Sequence, residues 1–266
     1  MPKIELIQGD CLEKMKDIPD GSIDMILCDL PYGTTACKWD VVIAFEPLWE
    51  QYNRIIKEYG AIVLFGSEPF SSYLRTSNIK QYKYDWYWNK GKPSNYMRAK
   101  KEAMKVIETI SIFNTKRYFP IMDEKTGNTE YHEKFYSSNV KSNITGTHGD
   151  RKSMKVKYSD DYDYTKKYPI NYRYTSIRET WSKTKPKLHE TQKPVSLLEY
   201  LIKTYTLEGE TVLDNCMGSG STGVACKNLN RNFIGIELDP EYFKIAEKRL
   251  NENLEKLVKE MKDAKD

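Results

Sequence analysis

Asp29, Leu30, Pro31 and Tyr32 set a carboxylate, a rigid turn and an aromatic ring on consecutive residues, directly after the apolar run Ile23 to Cys28. A short, nearly continuous apolar segment is what a parallel strand covered on both faces requires. The carboxyl ends of such strands are where ligands bind in open α/β sheets. Pro31 fixes its own φ and biases Leu30 towards an extended conformation, so that the Leu30 carbonyl can lie beside the Asp29 carboxylate. Two adjacent acceptors match the two hydrogens of an exocyclic aromatic amine, adenine N6 or cytosine N4, and Tyr32 can stack on the ring that carries it. Taken alone, these four residues equally describe a strand that ends in a proline turn with Asp29 as a helix cap.

A second set of chemistry-bearing residues follows the strand-like Glu210 to Asp214. The loop that leaves Asp214 contains Gly218, Ser219, Gly220, Ser221, Thr222 and Gly223, and the helical pattern Val224 to Leu229 comes next. Strand, glycine loop and helix is the setting in which glycines bring the backbone close to a ligand. The next strand, Asn232 to Glu237, ends in an acid about 20 residues after the first glycine of the loop, where a carboxylate can accept both hydroxyls of a ribose. A nucleoside cofactor is therefore expected. No Walker lysine follows the glycines, which disfavours a phosphate loop. Asp10, after the strand-like Ile4 to Ile7, is another acid at a strand end, and it serves equally as an N-cap for the pattern Cys11, Leu12, Met15, Ile18.

The elements that must position these groups alternate. The strand at Ile4, the Cys11 helix, the Ile23 strand, a helix from Pro47 to Lys57 stopped by Gly60, and the strand Ala61 to Phe65 imply right-handed crossovers and a parallel sheet. Tyr84 to Trp88 and Val106 to Phe113 are further strand candidates, and the loop Gly33 to Asp40 could cover the site or touch nucleic acid. A helix from Val195 to Ile202 is entered through Thr191, Gln192, Lys193 and Pro194, and a last helix runs from Pro240 to about Lys259.

Between Asn114 and Lys185 the periodicity fades. That stretch carries 15 Lys/Arg against 9 Asp/Glu, with tyrosines spread from Tyr118 to Tyr174, whereas the remainder is slightly acidic. Basic residues interleaved with aromatics suit phosphate contacts and stacking; the alternative is a long solvated insertion with a small aromatic core. Net charge is +4, pI about 8.5 and mean hydropathy -0.70, so any nucleic-acid affinity must come from charge distribution. No apolar run approaches the roughly 20 residues that cross a bilayer, and Met1-Pro2-Lys3 leads straight into a strand, so no membrane partner and a cytoplasmic location are expected. The five cysteines are odd in number and dispersed, which points to reduced thiols and to no metal site.

Together these motifs resemble the β arrangement of amino-group DNA methyltransferases, more particularly their phage and bacterial adenine-N6 members. Asp29 to Tyr32 looks like the catalytic D-P-P-Y, Thr191 to Pro194 like the T-Q-K-P cofactor element, Asp214 to Gly223 like the S-adenosylmethionine loop, and Glu237 to Pro240 like the ribose-binding strand end. Three departures are visible: Leu30 for the first proline, Glu190 after His189 where proline is common, and Asn215-Cys216 for Pro-Phe. The resemblance implies a permuted Rossmann-like methyltransferase fold: a seven-stranded, mostly parallel sheet with helices on both faces and an inserted target-recognition region. Residues 1–113 would be the catalytic part, 114–185 the insertion and 186–266 the S-adenosylmethionine-binding part. Asp29, Leu30, Pro31 and Tyr32 would be catalytic. Asp10, Thr191, Gln192, Lys193, Pro194, Asp214, Gly218, Ser219, Gly220, Thr222 and Glu237 would bind the cofactor. The partner would be a flipped adenine in double-stranded DNA, an acidic first motif residue going with adenine and serine with cytosine. Cytosine-N4 transfer, RNA or protein-amide methylation, and a DNA-binding protein without turnover remain alternatives. A homodimer and a cognate restriction endonuclease are further partners that the resemblance leaves open.

Overall fold

The computed structural model describes residues 2–34, 40–94, 99–121, 176–178 and 192–251. The central strand β2, Ile23–Cys28, is buried along its whole length and sends alternate side chains to opposite faces. Met25 and Leu27 enter one core cluster, and Ile26 and Cys28 the other. This period of two makes β2 the shared wall of two hydrophobic layers.

Around β2 stand β1 (Ile4–Gln8), β3 (Ile56–Gly66), β4 (Tyr82–Ser94), β5 (Lys105–Phe113), β6 (Ser176–Arg178), β7 (Thr211–Asp214) and β8 (Asn232–Glu237). The order is β1-β8-β7-β2-β3-β5-β4-β6. Every pairing is parallel except the two made by β5, which opposes both β3 and β4. Seven of these strands form the expected mostly parallel sheet, and the three-residue β6, from within the stretch expected to be the insertion, adds an eighth at the edge beside Tyr87 to Asn89. The first strand lies against the last: Phe233 N donates to Lys3 O at 2.9 Å, which brings the two sequence ends of the sheet together as the permuted order requires.

The helices are α1 (Cys11–Lys14, continued by a 3-10 turn at Met15–Asp17), α2 (Phe45–Ile55), α3 (Phe70–Ser77), α4 (Val195–Tyr205), α5 (Ser221–Asn228) and α6 (Pro240–Asn251). Residues of α1, α2 and α3 pack in the cluster that contains Ile26, and those of α4, α5 and α6 in the cluster that contains Met25. One short helix, α3, has no counterpart in the sequence reading; its buried Phe70, Ser71 and Leu74 share one face.

Gly60 is a correction to the sequence reading. Instead of stopping a helix, it lies inside β3, because α2 ends at Ile55 and the buried Ile56 already pairs with Ile23. The register then shifts so that Met25 faces Ala61, and at this bulge the Gly60 backbone passes close to β2. A Cβ on Gly60 would stand 2.8 Å from the Asp24 carbonyl oxygen and from the Ile56 side chain.

The described residues belong to one unit, Met1–Ile121 with Tyr174–Asp266. Within it, residues 114–121, at the start of the expected insertion, are tied to earlier and later elements: Asn114 Nδ2 donates to Gly60 O at 3.0 Å, Arg117 pairs with Glu210 at 2.8 Å, and Phe119 N donates to Thr204 O at 2.8 Å. Among the described residues no helix is long and apolar enough to cross a membrane.

The bulge gives a test of the packing. Because the atom opposing a new methyl at position 60 is main chain, Gly60→Ala should destabilise the protein by about 1–3 kcal/mol, the usual cost of overpacking. Denaturant unfolding that matches wild type would show that β2 and β3 do not approach this closely in solution.

Candidate active site

The site lies where the sheet changes direction. β2 and β7 are neighbours, with Ile26 beside Leu213, yet β2 leads through α2 to β3 on one side while β7 leads through α5 to β8 on the other. The connections leave on opposite faces, which opens a crevice at the adjacent carboxyl ends. Asp29 follows β2 at this point, Asp214 closes β7, and Glu237 closes β8.

On the β2 side, both carboxylate oxygens of Asp29 are engaged. Tyr32 OH donates to Oδ1 at 2.6 Å, and Lys193 Nζ donates to Oδ2 at 2.6 Å. Burial, reinforced by the Asp29 charge, raises the Tyr32 phenol well above its ordinary pKa, so the hydroxyl stays protonated and donates. The Tyr32 ring lies 5.0 Å from that of Phe70 at an interplanar angle of 30°. Leu30 is buried, which fixes the backbone between the acid and Pro31. Beyond Tyr32 the Asp40 carboxylate accepts from Gly33 N at 2.8 Å and Thr34 N at 2.9 Å, gathering the start and end of the loop.

Lys193, expected at the cofactor, places its ammonium on Asp29. It also lies 3.4 Å from Glu108 Oε2, and Lys90 holds Glu108 Oε1 at 2.9 Å. Burial alone would lower the Lys193 pKa, but Asp29 and Glu108 outweigh it and hold the pKa above its usual value. Burial likewise opposes the charge on Glu108, and Lys193 and Lys90 keep it below the usual carboxylate value. The sequence reading missed Glu108 and Lys90. The available signal was a single acid inside the strand candidate Val106 to Phe113, and a lysine two residues after the tryptophan-rich candidate Tyr84 to Trp88.

On the β7 and β8 side the glycines divide by task. Gly220, at φ +74°, has its Cβ position 3.1 Å from Ala246, and a Cβ on Gly223 would stand 2.8 Å from Leu250, so both admit α6. Gly218, at φ +51°, has nothing among the described residues within 4 Å of its Cβ position. It therefore presents bare backbone to open space, and its N–H donates to Glu237 Oε2 at 2.8 Å while Asp239 N donates to Oε1 at 2.8 Å. The exposed Leu238 stands next to this half-buried acid. Burial raises the Glu237 pKa against these amide bonds.

Asp214 and Thr222 meet each other: Thr222 Oγ1 donates to Asp214 Oδ2 at 2.6 Å, and Cys216 N donates to Oδ1 at 3.2 Å. Ser219 is buried, its carbonyl accepting from Arg249 Nη1 at 2.9 Å. Asp10 is the N-cap of α1, accepting from Leu12 N at 2.9 Å and Glu13 N at 3.2 Å. Pro194 caps α4, and Gln192 is half-buried beside Lys193. Thr191, and the Lys38 and Trp39 of the expected covering loop, lie outside the described residues. Among the described residues no group of three His, Cys, Asp or Glu is placed to hold a metal ion.

Comparison with known proteins follows the same geography. A family model for N6/N4 enzymes, described as DNA methylase, matches residues 23–248. The Type II methyltransferase M.HpaI of Haemophilus parainfluenzae is 29% identical over 257 residues, covering 92% of this chain and 74% of that protein. The solved complex of M1.HpyAVI with SAM is 25% identical, with a TM-score of 0.61, covering 94% of this chain and all of that one. The cytosine-N4-specific PvuII DNA methyltransferase has a TM-score of 0.66 at 16% identity, over 97% of this chain and 91% of its own, and shares the fold.

Asp214 makes the loop sensitive to pH. Burial pushes its carboxyl from the ordinary 3.8 up to about 7, despite the bonds from Thr222 and Cys216 that favour its charged form. In that interval the folded state holds a proton that the unfolded chain has released, so this group makes stability fall as pH rises from about 4 to about 7. Asp214→Asn should remove that part of the decline, as read by denaturant unfolding across the interval. Wild-type and variant curves of equal slope would exclude the assignment.

Proposed function

This chain belongs to the N6/N4 DNA methylase family, and from that premise we propose that it transfers a methyl group from S-adenosylmethionine to adenine N6 in duplex DNA. The observation that carries the reading is the placement of Asp29 and the Gly218–Glu237 pair at the carboxyl ends of strands around one switch point. One end offers acceptors for an amine; the other offers bare backbone and a carboxylate for a nucleoside.

The residues fit the cofactor. The open space at Gly218 admits its amino-acid part, Glu237 can accept the ribose hydroxyls, and Leu238 offers an apolar flank for the adenine ring. When bound, S-adenosylmethionine supplies an electrophilic methyl carbon and leaves as the thioether with the pair from the broken C–S bond.

Adenine N6 is a poor nucleophile because its lone pair is delocalised into the ring. Asp29 and the Leu30 carbonyl, each accepting one N–H, favour tetrahedral geometry at that nitrogen and free the lone pair for in-line attack. The carboxylate offsets the positive charge that builds on nitrogen as the new N–C bond forms, and the surplus N–H proton then leaves towards Asp29 or water. The Tyr32 hydroxyl fixes the carboxylate while its ring stacks on the flipped base. Positioning and fixed charge supply the rate. Adenine is favoured over cytosine because the first motif residue is Asp29, an acid.

Residues 114–185 are assigned to target recognition on their basic, tyrosine-rich composition, Lys and Arg supplying phosphate contacts. A cytoplasmic location accompanies an activity on DNA. A second copy of the chain and a cognate restriction endonuclease remain proposals that rest on the resemblance alone.

Asp29→Ala should retain the fold at a lower unfolding midpoint, because Lys193 loses its carboxylate partner, and should keep S-adenosylmethionine binding and lose activity, because the Asp29 bond matters most as charge builds in the transition state. Nucleoside analysis of treated duplex DNA should show N6-methyladenine with wild type; N4-methylcytosine as the main product, or wild-type rates from the variant, would overturn the mechanism. Glu237→Ala should weaken S-adenosylmethionine binding, each lost hydrogen bond to the carboxylate being worth up to about 1.5–3 kcal/mol. Unchanged affinity by calorimetry would remove Glu237 from the cofactor site.

A further inference from the structure

Behind the amine site, charges alternate in one row: Asp29, Lys193, Glu108, Lys90. They arrive from the end of β2, the entry to α4, β5 and β4, and the side chains of the last three are at most 15% exposed. The Lys193 ammonium is enclosed by three rings, lying 5.0 Å from the Phe65 centroid, 5.9 Å from Trp88 and 6.0 Å from Tyr32. Among the described residues two carboxylates neighbour Lys193 within that enclosure, Asp29 at 2.6 Å and Glu108 at 3.4 Å.

The row creates a conflict that the transfer must resolve. With Tyr32 on one oxygen and Lys193 on the other, the charge of Asp29 is already offset before a target amine arrives. A carboxylate has spare lone pairs for another donor, but one neutralised by an ammonium does less for an amine nitrogen that is turning positive. Simply expelling Lys193 would leave a buried ammonium unpaired, which is costly. Glu108 removes the difficulty. Among the described residues its Oε2 has no hydrogen-bond partner within normal reach, and it faces Lys193 at 3.4 Å, a distance that a small side-chain shift would close.

We propose that Glu108 is a positioning residue for methyl transfer: it receives the Lys193 ammonium when the target amine engages Asp29, so that the Asp29 charge becomes available to that amine. Lys90, paired to the other oxygen of Glu108, keeps the receiving carboxylate ionised and oriented. The inference rests on the reading of Asp29 as the amine acceptor. It adds a role for residues on β4 and β5, outside the motifs.

The test uses the full chain with duplex DNA and compares wild type, Glu108→Gln and Glu108→Asp. The isosteric amide cannot neutralise the ammonium, so kcat, measured well below the unfolding midpoint that the loss of this buried charge lowers, should fall on the order of 10- to 100-fold, the scale of lost positioning contacts, with the S-adenosylmethionine Kd unchanged. Glu108→Asp should recover most of the rate. A 15N-lysine spectrum supplies a readout that a purely structural role would not move: the Lys193 ammonium resonance should shift when duplex DNA and S-adenosylhomocysteine are added to wild type and stay in place in Glu108→Gln. A wild-type kcat in Glu108→Gln, failure of Glu108→Asp to improve on it, or the same resonance shift in both proteins would overturn the proposal. Absence of N6-methyladenine with wild type would instead strike the underlying reading of the reaction.

Discussion

The contact between Asp29 and Lys193 joins residues 164 positions apart, and the site depends on it. A carboxylate and an ammonium, both largely withdrawn from water, persist only when each has a partner and the remaining donors and acceptors are met. Tyr32 completes the carboxylate, and Glu108, itself held by Lys90, completes the ammonium. Removing either partner would leave its counterpart as an uncompensated charge. The pair therefore fixes where the chain must return after the long excursion that begins past β5, whatever the excursion contains.

A second join reinforces the first. The Tyr52 hydroxyl, on α2, donates to Asn215 Oδ1 at 2.6 Å, and both residues are buried. Asn215 stands at one of the positions where the family usually carries Pro-Phe. The change exchanges apolar contact for a hydrogen bond between the early and late parts of the chain, and the acceptor of that bond is satisfied. Cys216, the other departure, is half-buried, and its sulfur accepts from Asn215 Nδ2 at 3.6 Å. Burial pushes the Cys28 thiol up to about 12, which suits a packing group and not a nucleophile.

The parts most legible in the sequence were those whose physics is local. The continuous apolar run at Ile23 to Cys28 forecast a strand covered on both faces, and the order of strand, glycine-rich stretch and helix around Gly218 forecast β7 and α5. Non-local constraints were hidden. Gly60 reads as a helix stop until β2 is seen pressing against it, and α3 was lost because eight residues with few apolar positions give little periodic signal. Glu108 was invisible as a site residue because nothing near it in sequence names Lys193; only the pairing of β4 with β5 and the return of the chain into α4 bring the two together. The cap role of Asp10 was legible, since its bonds to Leu12 and Glu13 are local.

The sheet also explains why the order of the two functional halves can be exchanged. A site at a switch point needs only the carboxyl ends of β2, β7 and β8 side by side, and these are set by lateral pairing and by burial on both faces, neither of which records the order in which the strands were connected. What a connection must satisfy is handedness and length. Placing the Asp29 half first leaves β1 to be paired, and β8 offers its open edge, where five consecutive residues from Ile4 to Gln8 find partners from Phe233 to Glu237. That edge pairing brings Gly9 N to the Glu237 carbonyl at 2.9 Å and so tethers the start of the chain directly behind the carboxylate assigned to the cofactor. β1 thus supports β8, and a weakened β1 would be felt at Glu237 before it was felt at Asp29.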